Sequence, residues 1–275
     1  MDVRVELDHI AKSLVGTSVS RPAGTLAGHA AGLPFEKSVH EKLVKRFPGR
    51  AYRHYELLNL LYGQNPTKKS VQERYELLGP KSLSYLLRRG ESATAAWTTT
   101  AQFTEKQDDT AESIIFPTTS LSLDTRANGA LTLIDVKTQD AEVKSRAPNI
   151  ISAEKLLNAC KMAISERHPL SFDIVYIGVR WQKTKISLDC VGAEAVPLVS
   201  IDPTEMYINW SAGRQIQFHP HEAKTTFSGS TLDWAAAFLD HYSSKLRTRL
   251  NKELKKLDEL ESYTKALKSE VRAQK

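Results

Sequence analysis

The chain has 275 residues, 41% of them apolar and 25% charged, enough to bury one large core and too apolar for a disordered chain. A net charge of +6 with a pI near 9.1 weakly favours an anionic partner without naming one. The two cysteines, Cys160 and Cys190, suit neither a disulfide framework nor a cysteine zinc site, and no apolar run approaches membrane-helix length, so a reducing, cytoplasmic setting without a membrane is expected.

In chain order, "ELDHIAKSLVG" at 6–16 carries Leu7, Ile10, Ala11 and Leu14 at helical spacing, with Gly16 as a stop. Five breakers follow, Pro22, Gly24, Gly28, Gly32 and Pro34, ahead of a second helix whose predicted inner face is Phe35, Val39, Leu43 and Val44. The glycine-rich stretch has neither the GxGxxG nor the GxxxxGK pattern, which argues against nucleotide binding and for an ordinary connection. Residues 53–63 and 70–89 read as two further helices, the second ending in Arg88 and Arg89, a pair suited either to a phosphate or to plain solvation at a helix end.

"ESIIF" at 112–116 and "ALTLIDVK" at 130–137 then read as strands, paired antiparallel across a turn at Asn128 and Gly129. A helix is predicted over 152–166, a strong central strand over 172–181 and another strand over 185–193. The fold class is therefore α/β, a central mixed sheet flanked by helices, with a helical C-terminal extension. From Leu232 the chain reads as a heavily charged helix, its first half packed on the body. The organisation expected is a domain over 1–245 and an extension over 246–275.

"LTLIDVKTQ" at 131–139 raises the functional question, because an apolar strand ends in Asp135 and Lys137. Acid, spacer, base triplets arise by chance about four times in a chain of this composition, and roughly 0.3 times when Leu133, Ile134 and Val136 must also be apolar. On spacing alone, a charge pair closing a core strand stays open beside a catalytic one. On a strand the two side chains share a face, and Glu112 opens the predicted neighbouring strand, so two carboxylates and an ammonium can converge. Two carboxylates suit Mg²⁺, the carbonyl of Val136 offers another oxygen, and the lysine suits orientation or deprotonation of a water.

An acid, then Asp, any residue and Lys resembles the PD-(D/E)xK nuclease core. The stretches "AGHAAGLPFEK" at 27–37, "EKQDDTAE" at 105–112, "DVKT" with "APNIISAEKL" within 135–156, and "YINWSAGRQIQFH" at 207–219 resemble type II restriction endonucleases of the HincII/HindII type, in the same order. The resemblance implies a restriction-endonuclease-like core with Glu112, Asp135 and Lys137 as catalytic residues and Mg²⁺ as cofactor. It implies double-stranded DNA as substrate, a homodimer, and a companion methyltransferase protecting the host.

It further implies that Asn149, Tyr207 and Asn209 enter the grooves, asparagine offering the donor and acceptor that adenine requires; a turn asparagine and a sheet-edge tyrosine are the structural alternatives. Glu112 stands where the resemblance expects Asp, after which "SLSLDTRANG" lengthens the connection, and Asp108 and Asp109 are the alternative ligands. Arg146 replaces an uncharged residue at a position that approaches DNA in such enzymes, where it can wedge beside a base step. His29, His219 and His221 read as structural histidines. The expected activity is cleavage of a GTYRAC-like palindrome to blunt ends with 5′ phosphates. The rivals are a structure-directed repair nuclease and a DNA-binding regulator with a dead site.

Overall fold

Asp2 starts the first helix by accepting a hydrogen bond from the Arg4 amide at 2.9 Å. In the computed structural model, which describes residues 2–23, 29–53, 56, 113–116, 131–143, 147–167, 173–211 and 213–273, this helix is α1 (Val3–Lys12). It buries Leu7, Ile10 and Ala11, as the spacing predicts, and Gly16, at φ 80°, turns the chain into β1 (Ser18–Ser20).

Helix α2 (His29–Arg46) buries Phe35, Val39 and Leu43. Val44, expected on the same face, is 42% exposed, because the i, i+4 row 35, 39, 43 already defines the stripe and Val44 lies about 100° around from Leu43. Gly32 and Pro34 lie inside this helix rather than ahead of it. Burial of the apolar row outweighs the backbone hydrogen bond that Pro34 removes. Arg53, assigned to a helix by the sequence, instead closes β2 (Ala51–Arg53); the expected helices of 53–63 and 70–89 otherwise lie, Glu56 apart, outside the described residues.

Six strands form the main sheet in the order β1-β7-β6-β4-β3-β2, where β3 is Ser113–Ile115, β4 Thr132–Asp140, β6 Asp173–Lys183 and β7 Ser187–Pro197. β4 runs parallel to β6, and the other pairs are antiparallel, including the expected pairing of β3 with β4. Helices cover both faces. Leu131, Leu133, Ile174 and Tyr176 join the core that includes α3 (Ala153–Glu166) and α4 (Thr231–Ala273), while Ile134, Val136, Val175 and Ile177 join the one built on α1 and α2. Burial on two sides explains the near-continuous apolar runs of β4 and β6. Cys160 and Cys190 are free thiols in these two separate cores, and burial pushes the Cys160 thiol well up.

Ser152 caps α3 by accepting from the Lys155 amide at 3.3 Å. α4 begins in a reciprocal cap: the Ser230 amide donates to Asp233 at 2.8 Å and the Asp233 amide donates to the Ser230 hydroxyl at 3.2 Å. Trp234, fully buried, stacks on Phe238 at 5.5 Å and donates its indole N–H to the Ile201 carbonyl at 2.7 Å.

A second sheet, unforeseen in the sequence, has the order β5-β9-β8, with β5 at Asn149–Ser152, β8 at Tyr207–Asn209 and β9 at Gln215–Gln217. Ile151, Ile208 and Ile216 are buried in the α3/α4 core and fix it to the body. No helix among the described residues is long and apolar enough to cross a membrane.

Candidate active site and nucleic-acid face

The apolar half of β4 is sealed: Thr132, Leu133 and Ile134 pair with β3 on one side, and β6 pairs along the whole strand on the other. The described pairing with β3 ends at Ser113 opposite Ile134, immediately before Asp135. Side-chain alternation puts Asp135 and Lys137 on one face, opposite Val136 and Thr138. There the Lys137 ammonium lies 2.8 Å from Oδ1 and 2.7 Å from Oδ2 of Asp135. The Asp135 side chain is 4% exposed and that of Lys137 22%, so the acid is sunk in the sheet while the lysine reaches toward solvent.

The shared face predicted for this pair is therefore present. Val136 lies between them, with its side chain in the α1/α2 core. Glu112 lies outside the described residues, as do Asp108, Asp109, Arg88, Arg89 and Arg146, and the side chain of His29 is likewise outside. Among the described residues no three metal-ligating side chains converge. The Asp135 carboxylate and the Val136 carbonyl are hard oxygen donors of the kind Mg²⁺ takes, and an ion that accepts one or two carboxylates plus waters fits this donor set.

Two polar groups near this edge escaped the sequence reading. Glu36 of α2 is 4% exposed, and a Cβ built on Gly32 would come within 2.9 Å of its Oε1 and 3.8 Å of Thr138 Oγ1. Gly32 is thus the space that lets a buried carboxylate sit beneath β4. His40 meets the Ser113 hydroxyl at 3.0 Å through Nδ1 and lies 3.8 Å from Glu56 through Nε2. Glu36 was visible only as part of the "PFEK" stretch, with nothing to mark it as buried.

On the neighbouring strand Lys137 is in register with Gly178. A Cβ at Gly178 would approach Pro220 Cβ to 2.7 Å, so the absence of a side chain lets the "HPH" turn lie against β6. His219 and His221 have ring centroids 5.3 Å apart, and burial, opposed chiefly by the Glu222 carboxylate, lowers the His221 pKa. His219 departs from the satisfied structural role expected, since its Nδ1 is buried with no hydrogen-bond partner among the described residues.

The small sheet gathers Asn149, Tyr207 and Asn209, the residues expected to enter the grooves. Gln217 is the register partner of both Asn149 and Tyr207, so an amide, an amide and a phenol form one row across three strands. Gln217 Nε2 donates to Asn149 Oδ1 at 2.7 Å, and Tyr207 is 62% exposed. Asn209, paired with Gln215, lies two residues along on the same face, its Oδ1 accepting from the Ser211 amide at 3.1 Å and the Ser211 hydroxyl at 3.0 Å. Gln215 and Gln217 were missed, although "QIQF" has the polar-apolar alternation of a half-buried strand.

The sequence signature of the family described as "Restriction endonuclease HincII" matches residues 10–264. The chain is 37% identical over 237 residues, 86% of its length and 88% of the relative's, to the type II restriction enzyme HindII of Haemophilus influenzae strain Rd. It is equally similar, over the same share of each chain, to the type II restriction enzyme HincII of Haemophilus influenzae.

Proposed function

The chain belongs to the HincII restriction endonuclease family, whose named relatives are type II restriction enzymes, and on that footing we propose that it is a Mg²⁺-dependent, site-specific deoxyribonuclease. Its substrate is a short palindromic duplex of the GTYRAC kind, cut centrally to leave blunt ends with 5′ phosphates. A palindrome offers two equivalent half-sites, so the working form is a twofold homodimer in which each copy cuts one strand. A companion methyltransferase protects the same sequence in the host cytoplasm.

The observation that carries the reading is the Asp135–Lys137 contact in the middle of β4, where its buried apolar half gives way to a partly exposed one. Asp135 holds the ammonium beside the strand edge, where Lys137 orients a water toward phosphorus and helps to move its proton. The water oxygen bonds to phosphorus as the bond to the 3′ oxygen breaks, and that oxygen leaves with a proton. Glu112, Asp135 and the Val136 carbonyl would hold Mg²⁺, which when bound supplies positive charge next to the scissile phosphate. Glu112 precedes Ser113, the partner of Ile134, and Asp135 follows Ile134; the proposal requires this antiparallel ladder to extend by one pair.

Asn149, Tyr207 and Asn209 read base edges from the small sheet, Arg146 acts at a base step, and Arg88 and Arg89 take phosphates. Residues 1–245 make up the nuclease unit and 246–275 the extension, a division supported by the exposure of every described side chain from Arg247 on. The test is incubation of purified protein with duplex DNA, with Mg²⁺ and with a chelator. Discrete, Mg²⁺-dependent double-strand cuts are expected, and intact DNA under both conditions rejects the reading.

A further inference from the structure

Beyond the body of the protein, α4 keeps an apolar stripe that no other described element covers. Trp234, Phe238 and Tyr242 bury this helix against α3 and the small sheet, and Leu246 packs at the margin of that core. Every described side chain from Arg247 onward is exposed, yet Leu250, Leu257, Leu260, Leu267 and Val271 continue the line, each 46 to 61% exposed. Their spacing from Leu246 is 4, 7, 3, 7 and 4, which is a heptad pattern over nearly four repeats, with Arg249, Lys256, Glu261 and Lys268 on its flanks.

Two positions of the seam are polar, Glu253 and Thr264, and they determine how such a helix can pair. In a parallel, in-register pair Glu253 would face its own copy, like charge against like. In the antiparallel register that sets Leu257 against Leu260 of the second copy, Leu250 meets Leu267, Leu246 meets Val271, and Glu253 meets Thr264. Every apolar position then finds an apolar one and the two polar positions find each other. Both are already provided for within the helix: the Thr264 hydroxyl donates to the Leu260 carbonyl at 2.8 Å, and Glu253 lies 3.5 Å from both Arg249 and Lys256.

We infer that α4 from Leu246 to Val271 docks against the same segment of a second copy of this chain as an antiparallel two-stranded coiled coil. The occupant rests on the twofold-dimer reading above; the register rests on the helix itself. This symmetry places the axis between Asp258 and Glu259 and makes the extension the device that joins two nuclease units.

The experiment is sedimentation equilibrium of the full chain without DNA. The wild type is expected at twice 30.7 kDa and the Leu257→Glu/Leu260→Glu variant at 30.7 kDa. A monomeric wild type, or a variant that remains dimeric, overturns the proposal. Cysteine pairing keeps the test independent of whether the charged variant folds, since native Cys160 and Cys190 are both buried. Mild oxidation should give a covalent dimer with Leu250→Cys/Leu267→Cys together and none with either substitution alone. Covalent dimers from the single variants, or none from the double one, overturn the register. Duplex cleavage scored in parallel separates the two readings: a monomer that cuts sinks the pairing alone, while a dimer with the stated register that leaves DNA intact supports the pairing and sinks the nuclease reading.

Discussion

Lys137 Nζ lies within 2.8 Å of both carboxylate oxygens of Asp135, across one intervening residue on a single strand. The two are successive residues on one face of the strand, and the contact leaves the acid buried and the lysine partly exposed. Lys137→Ala is expected to slow cleavage by about 10²- to 10⁴-fold, the usual worth of a positioned proton-transfer group. Single-turnover cleavage with DNA binding measured in parallel checks it; binding should persist. Loss of binding with unchanged cleavage of bound DNA would make Lys137 a phosphate contact instead.

The small sheet should govern sequence choice rather than chemistry. Asn209→Ala is expected to cost about 1 to 3 kcal/mol of discrimination at the base pair it reads, and Arg146→Ala to alter preference at the deformable central pyrimidine-purine step. Cleavage of a library randomised over the site measures both. An unchanged profile for Asn209→Ala would leave its amide with only the Ser211 turn to hold.

Gly178→Ala puts a methyl where Pro220 Cβ would be 2.7 Å away, beside the register partner of Lys137. Overpacking of this kind costs about 1 to 3 kcal/mol, so the unfolding midpoint in urea should fall and cleavage should fall with it. A variant as stable as the wild type would mean that the turn at Pro220 moves aside freely.

His241 is 7% exposed and donates from Nε2 to the Met206 carbonyl at 3.1 Å. Burial is the largest influence on it and lowers its pKa below 6.5, with the Met206 bond opposing. The folded state therefore prefers the neutral ring: its contribution is fully present above pH 6.5 and lost as pH falls through the folded pKa. Stability measured by denaturant unfolding should decline from pH 7 toward 5, and less steeply in His241→Gln. Equal slopes would remove His241 as the titrating group.

If the basic surface grips phosphates, non-specific duplex affinity should fall with salt at a log-log slope of roughly −0.9 per contact. A flat dependence would mean that the +6 charge is merely solvated.

How much of this was legible in the sequence depended on how many faces each element buries. β4 and β6 are covered on both sides, so their apolar runs stand out, and α1 and α3 carry full helical stripes. The strands of the small sheet are three or four residues long, too short for periodicity to register, and their polar faces resemble loops. Gly32 and Pro34 misled because breakers act through local preference, which the buried row of Phe35, Val39 and Leu43 overrides. Asp135 and Lys137 were legible because the break from apolar to charged within one strand is itself a pattern. Glu36 was not, because nothing in its neighbours distinguishes a buried carboxylate from an exposed one.

Site-specific hydrolysis centred on Asp135 is read out by sequencing the ends that wild type and Asp135→Asn produce from mixed-sequence duplex DNA in Mg²⁺. Blunt ends at the centre of one palindromic sequence are expected from the wild type, and none from the variant, which should still fold and dimerise. Ends scattered without a shared sequence, or the same ends at a comparable rate from Asp135→Asn, would contradict it.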